Sequence, residues 1–400
     1  MKICIFTETY YPVVGGGETQ AHLLSDGLTA AGHSVIILTR RSDVSLKEHE
    51  KYGDVNVYRL PPVGSGQLKK WGLLLSSFPM LITLRDQYDL IFVSGYRIIG
   101  LTAVLIGKLF GKRVVLKADS QGEMSGEFFT SGLRKYGVSP TSLLFQLFLG
   151  FRNFVLKKAD AFCAISSEIA CEWTSRGIPS NRIHLIPNSV DTNRFAPVEP
   201  EQKLLLREKL NLPREVTISI YTGRLVSYKG LPLLLQTWND LLKKHKNVML
   251  VLAGVGGLDI HNCENELHEY VASHRMEQHV LFTGAIQNIP DYLQASDIFV
   301  FPTENDAFPS SVVEAMACAL PVITTPVGAI KTIIAHEENG ILIQPGNKEQ
   351  LFEALDVMIS DTAHSFLLGQ AARRRVLDQY SAVSSVMKYL YLFQSMLGFR

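Results

Sequence analysis

The sequence predicts an α/β protein made of two Rossmann-like β/α/β domains, each a parallel sheet covered by helices on both faces. Three observations carry this reading. Apolar runs of strand length alternate with helix-length segments along the chain. The alternation breaks once, between Pro187 and Pro200, where Pro, Asn, Asp and Glu dominate, and then starts again. The length, 400 residues, also exceeds what one hydrophobic core usually holds.

In the first half, Lys2 to Phe6 reads as a strand. A loop holding Gly15-Gly16-Gly17 follows, then a helical pattern from about Glu18 to Ala31, Gly32 as a stop, and Val35 to Leu38 as a second strand. Leu90 to Val93, Val114 to Lys117 and Ala161 to Ile165 are further strands, with helical stretches between them. In the second half, Thr217 to Thr222 is a strand and Gly230 to Lys243 a helix. Strands follow at Val248 to Ala253, Val280 to Thr283, Ile298 to Phe301 and Val322 to Thr324. The expected domains are 1–190 and 200–375, with an apolar terminal helix at 384–397 that can pack back on the first. Ligands of such sheets bind at the carboxyl ends of strands, so a cleft between two facing domains is the expected site.

Composition narrows the function classes. Hydrophobic residues at 46% and charged residues at 19% describe a globular chain, and a net charge of +1 gives no global attraction for nucleic acid. The five cysteines form no C-x-x-C pair and no Cys/His cluster of zinc spacing, so buried thiols in a reducing compartment are expected. Met1-Lys2 runs straight into a strand, and no apolar run reaches the roughly 20 residues of a membrane span, so a cytoplasmic protein without a signal peptide is expected. From Ser131 to Lys158 there are five basic residues (Arg134, Lys135, Arg152, Lys157, Lys158) and no acids, interleaved with Leu143-Leu144-Phe145 and Leu147-Phe148-Leu149. Two readings stand: a surface that lies on the inner face of an anionic membrane and meets a lipid-linked acceptor, or a buried helix with a basic end.

Three segments carry chemistry. In Phe299 to Thr325, a strand leads through a loop into a helix starting near Ser311. Asp306 stands in the loop, with Glu314 eight positions on in the first turn. Phe308, Pro309, Ser310 and Ser311 would place free backbone N–H groups at the helix N-terminus, an anion site. Ser311 and Glu314 also match the S-x-x-E capping box, and the two readings are compatible. In Gly223 to Gly230, Arg224 and Lys229 lie five apart across a strand-to-helix loop, a fork and a point charge suited to a diphosphate; two solvated loop cations is the alternative. Gly15, Gly16 and Gly17 allow close backbone approach and positive φ, but they do not form G-x-G-x-x-G, which argues against a nicotinamide enzyme. Gly254-Val255-Gly256-Gly257, at a strand end, reads as a tight turn that could touch a nucleotide.

Taken in order, these segments resemble the GT-B glycosyltransferases of the retaining family 4, along nearly the whole chain. Gly15-Gly16-x-Glu18 with Ala31-Gly32-His33 resembles the family's opening, and Leu185-Ile186-Pro187-Asn188-Ser189-Val190-Asp191 its interdomain signature. Gly223-Arg224 with Lys229-Gly230 resembles its phosphate motif, and Asp306 to Glu314 with Ala315-Met316-Ala317 its E-x7-E motif. The resemblance implies that Arg224 and Lys229 neutralise the leaving diphosphate. Glu314 would hold the donor ribose, and Asp306 would face the donor sugar. The amides of Phe308 to Ser311 would touch sugar or phosphate, Gly15 and Gly16 would approach the phosphate, and Asn188 and Gly254 would line the donor.

The implied function is transfer of a hexose, with retention and without metal or other cofactor, from a nucleotide-diphosphate sugar. UDP-sugars are favoured and GDP-mannose is next. The acceptor would be a glycan or lipid-linked molecule in cell-surface polysaccharide or glycolipid synthesis. Three departures stand out. Asp306 replaces the first Glu of the motif, Phe92 and Ser94 stand where many relatives have His, and Asp119 stands where relatives often place an acceptor-side His. Asp119 also reads as a turn carboxylate before Gly122. A sugar-nucleotide epimerase of the same fold and an inactive transferase-like subunit are the alternative functions.

Overall fold

The computed structural model describes every residue except 14, 65–66, 130–138, 140 and 399–400, together with the side chains of 67–70 and 128. Arg134 and Lys135 therefore lie outside the described residues. The chain divides into two compact units, Met1–Asn188 with Ala382–Arg400, and Ser189–Ser381.

The first unit is an eight-stranded sheet. Its strands are β1 (Lys2–Thr7), β2 (Ser34–Arg40), β3 (His49–Tyr52), β4 (Val55–Leu60), β5 (Leu90–Ser94), β6 (Arg113–Lys117), β7 (Ala161–Ala164) and β8 (Ile183–Leu185). They lie in the order β3-β4-β2-β1-β5-β6-β7-β8, parallel except for the antiparallel pair β3–β4. Ile3 to Phe6 and Leu90 to Val93 are almost wholly buried on both sides, as strands sandwiched between helix layers must be. The helix Ala382–Leu397 closes one face of this sheet. Its Tyr389 and Phe393 rings stand 5.2 and 5.9 Å from the ring of Phe92, and its Val386 lies so close to Gly27 that a Cβ there would sit 2.3 Å from Val386 Cγ2. A glycine in mid-helix, unfavourable by propensity, is explained by that approach.

The second unit is a six-stranded parallel sheet of β9 (Thr217–Thr222), β10 (Val248–Ala253), β11 (Val280–Gly284), β12 (Ile298–Phe301), β13 (Val322–Thr324) and β14 (Ile341–Leu342). Their order is β11-β10-β9-β12-β13-β14. Every strand expected from the sequence forms, with ends shifted by at most two residues. The unexpected strands are β3, β4, β8 and β14, which are edge or hairpin strands, short or rich in polar residues.

Two parallel strands that diverge in sequence order leave a crevice at their carboxyl ends. In the first sheet this switch falls between β1 and β5, and in the second between β9 and β12. Gly254 sits beside the second switch with φ +151°, and a Cβ on it would lie 1.8 Å from the carbonyl oxygen of Gly223. Gly254→Ala is therefore expected to cost more than about 2 kcal/mol and several degrees of unfolding temperature. Gly257→Ala, at φ +62° but with nothing within 4 Å of the new Cβ, should cost less. Thermal unfolding of both variants checks the ordering.

Candidate active site

At the carboxyl end of β9, Gly223 and Arg224 lead into a single 3-10 turn, Ser227–Lys229. Gly230, at φ +73°, then starts the helix Leu231–Lys244, with Pro232 in its first turn. Lys229 is buried, which overturns the reading of it as a solvated cation. Its Nζ lies 2.7 Å from Asp306 Oδ2, donates to the carbonyl of Asn305 at 3.0 Å, and stands over the rings of Tyr228 (5.2 Å) and Phe301 (5.4 Å). The ion pair bridges the loop after β9 and the loop after β12, across the switch point itself. Arg224 is more open, its side chain 60% exposed. It pairs with Asp259 through Nη1 and donates from Nη2 to the Tyr228 hydroxyl at 2.7 Å.

The helix after β12 runs Ser310–Ala317, with Pro309 as N-cap and no side-chain cap. This corrects three expectations. Ser311 is the second helical residue, so it cannot cap, and Glu314 is the fifth, beyond the first turn; the capping box does not form. The N–H of Phe308 is also not free, because it donates to Asp306 Oδ1 at 3.1 Å, and Pro309 has none. The amides left without an intrahelical acceptor at this terminus are those of Ser310 and Ser311. Glu314 is half-buried. Burial pushes its carboxyl up to about 7, with Arg194 pulling the other way.

In the first unit, Asp119 follows β6 at the carboxyl edge of the sheet. Its Oδ1 is 2.9 Å from Nζ of the buried Lys117 and accepts from Ser94 Oγ at 3.3 Å. Its Oδ2 fills space that a Cβ on Gly17 or Gly95 would invade, at 3.3 and 2.6 Å. Asp119 is thus ion-paired in a glycine cradle next to the switch between β1 and β5. Gly16 and Gly17 belong to the first turn of the helix Gly16–Ala30 rather than to a loop, and Gly15, its N-cap, has an extended φ of −163°. Positive φ is not why these glycines are there; a Cβ on Gly16 would meet nothing within 4 Å. Asn188 is buried, and its Oδ1 accepts no hydrogen bond.

Sequence reasoning missed Glu123, which is wholly buried. Its Oε1 accepts from the amides of Asp119 and Ser120 and the Ser120 hydroxyl, each at 3.1 Å, and pairs with Arg97 Nε at 3.0 Å. Burial raises its proton affinity and Arg97 opposes the rise. Glu123→Ala would remove the buried carboxylate that those amides, the Ser120 hydroxyl and Arg97 Nε share. A loss of about 3–5 kcal/mol, read by denaturant unfolding, is expected. Tyr228 and Asp259 were missed as well; no motif pointed to either.

The basic stretch also changes. Arg152 is fully buried and donates to the carbonyls of Arg97 (2.6 Å) and Glu123 (2.8 Å), so it is no surface cation. The helix Leu143–Leu156 is buried on one face only, through Phe145, Leu149, Val155 and Leu156. Leu143, Leu144, Leu147, Phe151 and Phe154 are at least 60% exposed, and Lys158 Nζ lies 4.3 Å from the ring centroid of Phe154. Among the described residues, no helix is long and apolar enough to cross a membrane, and no group of three or more His, Cys, Asp or Glu is placed to hold a metal.

Two parallel-sheet units, with paired cations and a helix N-terminus at the switch point of the second, define a glycosyltransferase of the GT-B fold. The Glycosyltransferase Family 4 model matches residues 14–194 and the Glycosyl transferases group 1 model residues 202–375; the chain belongs to this family. It is 24% identical over 388 residues to an uncharacterised glycosyltransferase of Methanocaldococcus jannaschii, covering 95% of both chains. Among solved structures, sucrose-phosphate synthase from Thermosynechococcus elongatus matches with a TM-score of 0.79 at 21% identity, over 100% of both chains. HepE of Anabaena, in complex with UDP and glucose, matches with a TM-score of 0.77 at 18% identity, over 99% of this chain and 100% of that one.

Proposed function

We propose that the chain is a retaining glycosyltransferase that moves a hexose from a UDP-sugar, with GDP-mannose as the next candidate donor, to a lipid-linked or glycan acceptor of cell-surface polysaccharide or glycolipid synthesis. The observation that carries this reading is the set of Arg224, Lys229 and the free Ser310 and Ser311 amides around the second switch point. Negative charge develops on a departing diphosphate, and cations and amide donors gathered around it lower the barrier. That role is the one a divalent metal fills elsewhere, so the reaction proceeds without metal. Glu314 accepts from the donor ribose, Asp306 meets the sugar hydroxyls, and Gly254 lets the backbone approach the nucleotide. UDP is supported by its presence in the HepE complex.

On the acceptor side, Asp119 is the proposed catalytic group, and Gly15, Gly16 and Asn188 complete the donor contacts. The first unit also offers a face for the membrane. Besides helix Leu143–Leu156, the neighbouring helices Gln67–Thr83 and Ile99–Leu109 also expose apolar residues, Trp71, Leu75 and Phe78 on the one and Leu105 and Leu109 on the other. The cations Lys157 and Lys158 stand at the end of helix Leu143–Leu156. Such a face is suited to the cytoplasmic surface of an anionic membrane.

The test is transfer of labelled hexose from UDP-hexose to a membrane lipid extract in the presence of EDTA, with the product's anomeric configuration read by NMR. A sugar nucleotide altered without acceptor would instead indicate an epimerase, and donor binding without transfer an inactive subunit. Flotation with anionic vesicles tests the surface. Phe151→Glu is expected to lose most vesicle binding and to keep UDP binding unchanged.

A further inference from the structure

Both cations of the phosphate motif already have carboxylate partners. Lys229 is held by Asp306, a residue of the E-x7-E motif, but the partner of Arg224 is Asp259, which belongs to no motif. Asp259 lies in the loop that leaves β10 through Gly254, Gly256 and Gly257. That loop is fastened alongside Gly223–Lys229: Leu225 N–H donates to Val255 O at 3.1 Å, Ser227 N–H to His261 O at 2.9 Å, and Cys263 N–H to Leu225 O at 3.1 Å. Within the loop, His261 N–H donates to Asp259 Oδ1 at 3.0 Å, which leaves Oδ2 to meet the guanidinium. Asp259 is mostly buried, 17% exposed at its side chain, whereas Arg224 is 60% exposed. The carboxylate is the more enclosed and more tied partner, and the guanidinium the more open one. Arg224 has a second anchor, the Tyr228 hydroxyl, about which it can turn.

Within these two ion pairs the charges cancel, two cations against two carboxylates. A diphosphate carrying two or more negative charges therefore competes with Asp259 for the charge of Arg224. We infer that Asp259 is a positioning residue of the donor site, a resident counter-ion that holds Arg224 in the ligand-free chain and is exchanged for the diphosphate of the incoming nucleotide. It sets donor affinity by competition, and it parks the guanidinium at the loop edge until a diphosphate, rather than a nucleoside or monoanion, draws it away. The inference rests on the proposed phosphate-gripping role of Arg224.

The test is titration of the full chain with UDP, GDP and uridine in wild type, Asp259→Asn, Arg224→Ala and the double variant. Asparagine keeps the acceptor for His261 N–H and removes the charge. Expected are an about three- to tenfold tighter dissociation constant for the diphosphate in Asp259→Asn, no gain from the same substitution in the Arg224→Ala background, and no effect on uridine. Unchanged or weaker diphosphate binding in Asp259→Asn overturns the inference. An equal gain with Arg224 absent also overturns it, because Asp259 would then act as a general repulsive charge. If Arg224→Ala binds diphosphate as wild type does, the phosphate-grip reading fails and the inference falls with it. Asp259→Ser, which also accepts from His261, repeats the comparison should Asp259→Asn lower the unfolding temperature.

Discussion

Replacing Arg224 with alanine is expected to lower kcat/KM for sugar transfer by about 10²–10³-fold, the usual cost of removing one donor from developing negative charge. The stability of the ligand-free chain should barely change. Arg224 is largely exposed, and its pair with Asp259 is of the kind that contributes little to folding. Lys229→Ala should differ in kind. Lys229 is buried between two rings with a carboxylate and a carbonyl on its ammonium, so its loss should reduce both transfer and unfolding temperature. Steady-state kinetics alongside thermal unfolding separate the two variants. An Arg224→Ala enzyme with unaltered transfer would remove the main support for the proposed function.

The second large effect is expected at Glu314, where stability and function pull against each other. Its carboxyl is pushed to about 7 in the folded chain from an ordinary 4.5. Between those values the folded state binds a proton that the unfolded state has released. This contribution to stability is therefore greatest at or below about pH 4.5 and declines as pH rises through 7. Glu314→Gln removes that penalty. At pH 8 the variant is expected to be more stable than wild type by about 1–3 kcal/mol, and the difference should vanish near pH 4. Donor binding moves the other way, since an ionised carboxylate accepts ribose hydroxyls more strongly than the neutral acid. UDP affinity of the wild type should rise between pH 6 and 8. In Glu314→Gln it should be flat and about tenfold or more weaker. Chemical denaturation at several pH values and calorimetric titration over the same range check both halves.

What the sequence makes legible follows from where burial is simple. The central strands are mostly apolar runs because both their faces are covered, so β1, β5, β9, β10 and β12 stand out with nearly correct ends. The hairpin β3–β4 is hidden because one strand reads His49-Glu50-Lys51-Tyr52, a solvated edge with no apolar pattern. At the site, Arg224, Lys229 and Asp306 are legible as residue types at characteristic spacings. Their pairings are not, since Asp259 approaches Arg224 only through the fold. Local pattern misleads at Ser311 and Glu314, where S-x-x-E has the spacing of a cap; with Pro309 as N-cap the helix starts two residues too early for the box to form. Glu123 could have been suspected from an acid within the apolar surroundings of Gly122 and Met124, but its four hydrogen bonds depend on Arg97 and on the turn after β6.

The helix Ala382–Leu397 belongs to the first unit although the chain reaches it only after completing the second. On a ribosome, the first sheet would emerge with the face around Leu28 and Phe92 still uncovered, while Ser189–Ser381 already holds all its own strands. The second unit can therefore reach its native state during translation, whereas the first must wait for the last stretch of polypeptide. A nascent chain stalled before Ala382 presents an apolar sheet face to chaperones. In the finished protein, proteolytic loss of this one helix would leave Arg224, Lys229 and Asp306 in a folded unit and strip the first unit of its cover.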